Sequence, residues 1–432
     1  MKSLRNTTSK YITCIAIAWA FCLASCTKEY QDPSRAKTDV ALTSQQGLTA
    51  VAIGLQRVYT LNRTGVMFNS VAANGFITNE FSLLNSGNIP ELQLSTGGAA
   101  VDGTNTILFN LWTSANKIIY DADLVIANAG NLGDKGYASG LIAYSSIFKA
   151  MAIGNLSQYW ERIPDGTGKN VPFIVRAAGF AKAIAVLDNA LTVIAANPIS
   201  SSFNSNIPPT INIVNTLHAL KARYALFAGN YPLALTEANL VDLTKTSSFA
   251  FDATSPNVLF TVISSNNVFQ PININLGLTG TNVPDVVDKR IPFYTFFAGT
   301  PTATIRMGGF ATTTSTPFPV YLPGEIMLIK AEVLTRQPDL TNALAELNKV
   351  VTKTSDPFGV AAALPALTGP YTQQQLLDLI YKHRSIELYA SGLKIEDMRR
   401  FNQPVASRKR NFFPYPFQER DNNTNTPADP GF

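Results

Sequence analysis

The chain has 432 residues, enough for a large core at roughly 150 residues per domain. Apolar residues make up 46% and charged residues only 15%, against about 25% charged in an ordinary soluble domain, which excludes disorder for the bulk of the chain. The net charge of +5 raises a nucleic-acid reading that has to be tested by where the charges sit.

Much of the excess sits at the N-terminus. Lys2, Arg5 and Lys10, with no acidic residue among them, precede an apolar run from Cys14 to Ala24. Eleven residues do not span a bilayer, which takes about 20, but they fit the hydrophobic part of a signal peptide. The run ends in Leu23-Ala24-Ser25-Cys26, which resembles a bacterial lipobox, with Cys26 as the lipidated first residue after removal of residues 1–25. An ordinary signal peptide containing a cysteine is the alternative. Cleavage would leave 31 basic against 29 acidic side chains, or +2, and the basic residues that remain together, Arg399-Arg400 and Arg408-Lys409-Arg410, are too local to imply nucleic acid. Cys14 and Cys22 would leave with the signal, so a single cysteine can form neither an internal disulfide nor a CxxC zinc site. Several acyl chains together anchor stably, at about 0.8 kcal/mol per buried methylene. Residues 26–40 read as a tether. Thr27-Lys28-Glu29 lacks the aspartate that retains many lipoproteins at the inner membrane and resembles a short surface-export signal, although a tether of mixed charge explains it equally.

Helical periodicity dominates 41–432, read as a single domain. Apolar residues stepping by three and four predict helices at 45–61, 105–129, 141–160, 177–196, 211–228, 232–243, 324–335, 341–351 and 373–389. A weak repeat aligns Gly179-Phe180, Asn230-Tyr231 and Asp339-Leu340. In each copy small or apolar residues follow the large one at +3, +7 and +10, as in the second helix of a tetratricopeptide repeat. The spacing is irregular, so insertions interrupt the array. Two are visible, at 62–103 and 244–323, rich in Gly, Thr, Ser, Asn and Pro with short β-type runs at 258–263 and 291–297. Long loops in a compact domain are usually functional, so a ligand site is expected there, with repeat helices at about 105–245 and 323–401.

Only His218 and His383 are present, and the HExxH, GxSxG, P-loop and GxGxxG patterns are missing. Zincin, α/β-hydrolase, NTPase and Rossmann readings therefore lack their anchor residues, whereas a glycosidase's carboxylate pair carries no local motif and stays open; the chain is read as a non-enzyme, with no cofactor or metal called for. His218 lies on an apolar helix stripe and reads as a packing residue.

The C-terminal stretch HRSIELYASGLKIEDMRRF, from His383 to Phe401, resembles the signature of the SusD/RagB family, ERRxELxxEGxRxxDLxR. Arg384, Glu387, Gly392, Asp397 and Arg400 match, while His383, Ser391 and Lys394 replace Glu, Glu and Arg. YWERIP, GEIMLIKAEVLT with ALAELNKVVTK, and FPYP with Glu419 resemble further blocks of the family in matching order. The resemblance implies a mainly α fold, a SusD-like helical scaffold with tetratricopeptide-like pairs. It also implies a surface-exposed, lipid-anchored protein of the outer membrane that passes a nutrient, an oligosaccharide or other glycan, to a SusC-like TonB-dependent receptor. Some relatives bind peptides, so a peptide-binding or protein-interaction module is the alternative. In the family, contacts come from the loop after the first helix and from the long later insertion, which here hold Asn74, Phe76, Asn79, Glu80 and Phe81, and Tyr294, Phe296 and Phe297. Arg384 between Glu387 and Asp397 is read as a clamp on a helix corner rather than as a substrate contact.

Overall fold

A computed structural model describes residues 42–432. Residues 1–25, the tether 26–40 and Cys26 lie outside the described part. The first helices are α1 (Gln45–Thr60) and α2 (Val66–Ile77), followed by a short strand β1 (Phe81–Leu83) and α3 (Ile89–Thr96). Here the structure corrects the reading of 62–103 as loop. Every residue of α2 is buried, and a helix surrounded by protein has no polar face, so it shows no period to read.

Two long helices follow, α4 (Thr106–Ala129) and α5 (Lys135–Tyr159). The Asn105 side chain accepts from the backbone N–H groups of Ile107 and Leu108, and that of Asp134 from Tyr137, so each helix starts where a short polar side chain satisfies its orphan donors. The cap at Asp134 places the start of α5 six residues before the periodic stripe. Strands β2 (Arg162–Pro164) and β3 (Phe173–Val175) form a small antiparallel pair. They lead into α6 (Arg176–Ala196), a short α7 (Ser201–Asn204), α8 (Ile213–Phe227) and α9 (Tyr231–Asn239). The repeat motif holds with an offset: Asn230 caps α9, but Gly179-Phe180 lies inside α6, which begins at Arg176.

The second insertion carries β4 (Ser248–Phe249), β5 (Phe269–Pro271), α10 (Arg290–Tyr294), β6 (Thr295–Ala298), β7 (Thr304–Met307) and β8 (Phe318–Pro319). The antiparallel pairs are β1 with β5, β4 with β8 and β6 with β7. The apolar run at 258–263 is not a strand: it enters a turn of π-helix over Phe260–Ser265, opened by Asn257, whose side chain accepts from Leu259 and Phe260. The run at 291–297 is half helix and half strand.

The chain closes with α11 (Pro323–Arg336), α12 (Leu340–Val351), α13 (Gln373–Glu387), α14 (Lys394–Arg400) and α15 (Phe417–Asn422). Asp339 caps α12, and Thr372 with Gln375 forms a reciprocal capping box on α13, the two-way satisfaction of end donors that fixes a helix start. Successive helices pack on one another from α4 through α5, α6, α8, α9 and α11 to α12 and α13, as stacked helix pairs do. In all three motif copies the +3, +7 and +10 residues are buried: Ala183, Leu187 and Ala190, then Ala234, Ala238 and Val241, then Ala343, Leu347 and Val350. Small side chains there let neighbouring helices approach. α1 and α2 pack on α4, and the insertion strands gather beside α2 and α10.

Candidate functional site

The signature residues build a helix corner. The chain leaves α13, turns through Ala390 and Gly392, both at positive φ (57° and 83°), and enters α14. Arg384 reaches across, its Nε 3.1 Å and Nη2 3.0 Å from the two carboxylate oxygens of Asp397. Asp397 also meets Arg400 Nη1 at 2.9 Å, and Arg400 forks onto Glu332 at 3.2 and 2.7 Å. Burial alone would raise the Glu332 pKa, but Arg400 and its neighbours hold this carboxyl below its ordinary range. The Gly392 carbonyl accepts from the Tyr159 hydroxyl at 2.6 Å, tying the corner to α5.

Glu387 does not share Arg384. It pairs with Arg290 at 3.1 Å and with Lys353 at 2.5 Å, and Arg290 in turn holds Asp288 at 2.6 Å and donates to His383 Nδ1 at 2.9 Å. The expected single clamp is therefore two networks, because α13 is packed by α14 on one flank and by α10 and α12 on another. All of these residues are buried except Arg400, which is partly exposed at the edge of the network. They fix the scaffold and offer nothing to a solute. His383, where the family pattern has Glu, is pushed well below its usual pKa by burial and by Arg290, which leaves it neutral with Nδ1 as acceptor.

Five of the eight expected ligand residues lie inside. Asn74 donates to Glu80 at 2.9 Å and accepts from the Ile395 backbone at 2.8 Å, joining α2 to α14. Phe76 and Phe81 pack on Phe269, with ring centroids 5.0 and 4.8 Å away. The Tyr294 hydroxyl donates to the Glu387 carbonyl at 2.6 Å. Burial raises the Glu80 carboxyl above its ordinary pKa and lowers Lys394 below its own. With no surface to present, Asn74, Phe76, Glu80, Phe81 and Tyr294 act as packing and anchoring residues. Asn79 is half-buried and donates to the Ser407 carbonyl.

Phe296 and Phe297 are placed differently, 48% and 61% exposed. They stand opposite Arg306 and Ile305 in the β6–β7 pair. Neighbours along a strand point to opposite faces, so two consecutive exposed rings mean that the hairpin protrudes with both faces in solvent. Its base is fixed: the Met307 backbone donates to Gln270 Oε1 at 2.8 Å, and Arg306 donates to Asn267. β5 then pairs with β1, and Leu84 N–H reaches the Val268 carbonyl at 2.9 Å. Leu84, Ile272 and Ile274, on the segments leaving β1 and β5, are also exposed. None of the three is among the residues expected from the sequence; the alternation Ile272-Asn273-Ile274 was the available signal for two of them. The connected strands β1, β5, β6 and β7 and the segments leaving them thus carry these exposed apolar and aromatic side chains.

A central cavity of about 60 Å³ lies behind the corner. Arg223 and Glu325 form a two-pronged pair there, with both contacts at 2.6 Å, against walls that include Met67, Met151, Phe249 and Leu388. Burial opposes the charge of Arg223, but Glu325 more than offsets it and raises the guanidinium pKa. At roughly 10–15 Å³ per water the space holds a few waters and no oligomer.

No family model matches the chain, and no curated protein matches it in sequence. Solved structures do match. A SusD-like carbohydrate-binding protein from Bacteroides vulgatus ATCC 8482 is 15% identical, with 83% of this chain and 84% of that one covered and a TM-score of 0.66. A SusD superfamily protein from the same strain is 12% identical over 90% of this chain and all of its own length, TM-score 0.69. A SusD/RagB family protein from Bacteroides thetaiotaomicron VPI-5482 is 14% identical over 88% and 94%, TM-score 0.62. The chain has the SusD-like fold.

Proposed function

We propose, from the SusD-like fold as premise, that this chain is an outer-membrane lipoprotein anchored through Cys26, which captures a nutrient glycan at the β6–β7 hairpin and delivers it to a SusC-like TonB-dependent receptor. In this reading residues 1–25 are the signal, 26–40 the tether and 41–432 the binding domain. The observation that carries it is the pair of exposed rings Phe296 and Phe297 on a hairpin anchored at its base. Aromatic faces pack against the apolar faces of sugar rings, while the nearby Asn and Arg groups bond hydroxyls. The carbohydrate-binding role of a solved structure with this fold supports the same reading. It also supports a binding protein rather than an enzyme.

Isothermal titration against an oligosaccharide panel tests it. Phe296→Ala with Phe297→Ala should weaken binding by at least tenfold with the melting temperature unchanged, since neither ring is buried; undiminished affinity would place the site elsewhere. A second reading rests on the exposed aliphatic Leu84, Ile272 and Ile274 on the segments leaving β1 and β5, which suit the side chains of an extended peptide. A peptide pool in the same titration separates the two. Cys26→Ser should release the protein from the membrane, and recovery from solubilised membrane without any receptor would count against the delivery step.

A further inference from the structure

Far along the chain from the hairpin segments, α4 carries Trp112, Asn116 and Tyr120 at successive i+4 positions, which form one ridge of a helix surface. The ridge rises from interior to solvent: Trp112 is 3% exposed and Tyr120 51%. It borders a depression of about 230 Å³, closed on the other sides by the loop between β2 and β3 and by α15.

The polar wall of this depression is held in place. Trp112 Nε1 donates to Glu419 Oε2 at 3.0 Å, and Asn423 donates to Glu419 Oε1 at 2.9 Å and to the Val171 carbonyl at 3.0 Å. An ionised carboxylate has about four acceptor positions, and two are taken, so Glu419 keeps two for incoming donors without having to be ordered first. Asn116 spends one N–H on the Trp112 carbonyl at 2.9 Å, which leaves its own side-chain carbonyl as a second acceptor. No described residue bonds the Tyr120 or Thr167 hydroxyl. No lysine or arginine lines the depression, so an anion has no counter-charge there.

We infer that this depression is a second binding site, for a single neutral, hydroxyl-rich ring such as a hexose, with Tyr120 as the stacking face and Glu419 and Asn116 as hydroxyl acceptors. Its volume lies below the ~300 Å³ at which pockets for larger organic ligands begin, so it holds one ring rather than a chain. The inference does not depend on the hairpin reading, because no residue is shared between the two places.

Saturation-transfer NMR on the full chain with glucose, galactose and N-acetylglucosamine as separate probes, and choline as a cationic comparison, tests it. In the Phe296→Ala, Phe297→Ala background, which removes the hairpin's contribution, transfer to at least one sugar is expected, falling by more than threefold when Tyr120→Ala or Asn116→Ala is added. Tyr120 is half exposed, so Y120A is expected to keep its melting temperature, and that measurement is made alongside. Absence of transfer to all three sugars, transfer that survives Y120A, or transfer to choline alone would overturn the assignment. Loss of transfer only in the hairpin variant would overturn it too, and would leave the hairpin reading standing.

Discussion

Replacing Arg384 by alanine removes a fully buried guanidinium from the corner between α13 and α14. Breaking a buried pair usually costs about 3–5 kcal/mol, mainly because the surviving charge is left without a partner. Here Asp397 would retain Arg400 at 2.9 Å, and Arg384 Nη1 has no hydrogen-bond partner to lose, so the lower end, about 3 kcal/mol, applies. Unfolding entropy near 2.1 cal/mol/K per residue over roughly 390 residues gives about 0.8 kcal/mol/K. The melting temperature should therefore fall by about 4 °C, read by differential scanning calorimetry. Affinity for the cognate ligand, titrated below the transition, should be unchanged, since the proposed site is on the β6–β7 hairpin and not at this corner. A double variant, Arg384→Met with Asp397→Leu, should recover most of the loss, because apolar replacement of a buried pair is often neutral or stabilising. An unchanged melting temperature with abolished binding would refute the structural assignment and make Arg384 a ligand contact.

His383 gives the fold an acid sensitivity. Its folded pKa lies well below the ordinary 6.5, so the unfolded chain binds the extra proton first: its contribution is complete above about pH 6.5 and is lost as pH falls from there toward the folded value. Glu332 and Glu396, both held below 4.5 despite burial, add their loss only at lower pH. Stability measured by urea titration should fall more between pH 6.5 and 5 in the wild type than in His383→Gln, in which the raised Glu80 carboxyl contributes with the opposite sign; equal slopes would exclude His383 as the cause. At Gly324 an added Cβ would lie 1.9 Å from Glu387 Oε1, so Gly324→Ala should cost at least ~2 kcal/mol, in the upper part of the overpacking range. Gly54→Ala, mid-helix in α1 with nothing within 4 Å, should gain roughly 0.5–1 kcal/mol; similar effects from the two would refute the packing argument in a thermal melt. Phe76→Ala, inside α2, should cost about 3–5 kcal/mol while any remaining folded protein binds ligand normally, and a selective loss of affinity would return Phe76 to the site.

Features that depend on near neighbours in the chain are legible in the residues alone. Apolar steps of three and four marked α1, α4 to α6, α8, α9 and α11 to α13, and the caps at Asn230 and Asp339 lay where the repeat motif turns. The corner motif identified the scaffold at a level of identity where overall sequence comparison finds nothing. Features that depend on distant segments emerge only once the chain is packed. α2 is surrounded by protein, so no polar face marked it and its residues read as a ligand loop. The partners of Glu387 are Arg290 and Lys353, 97 and 34 residues away in the chain, and no spacing on one helix names them. Phe76 and Phe297 are the same residue type in insertions of similar composition, yet one is in the core and the other in solvent. An aromatic side chain is equally suited to a core and to a binding face, and the difference is set by what other segments cover it.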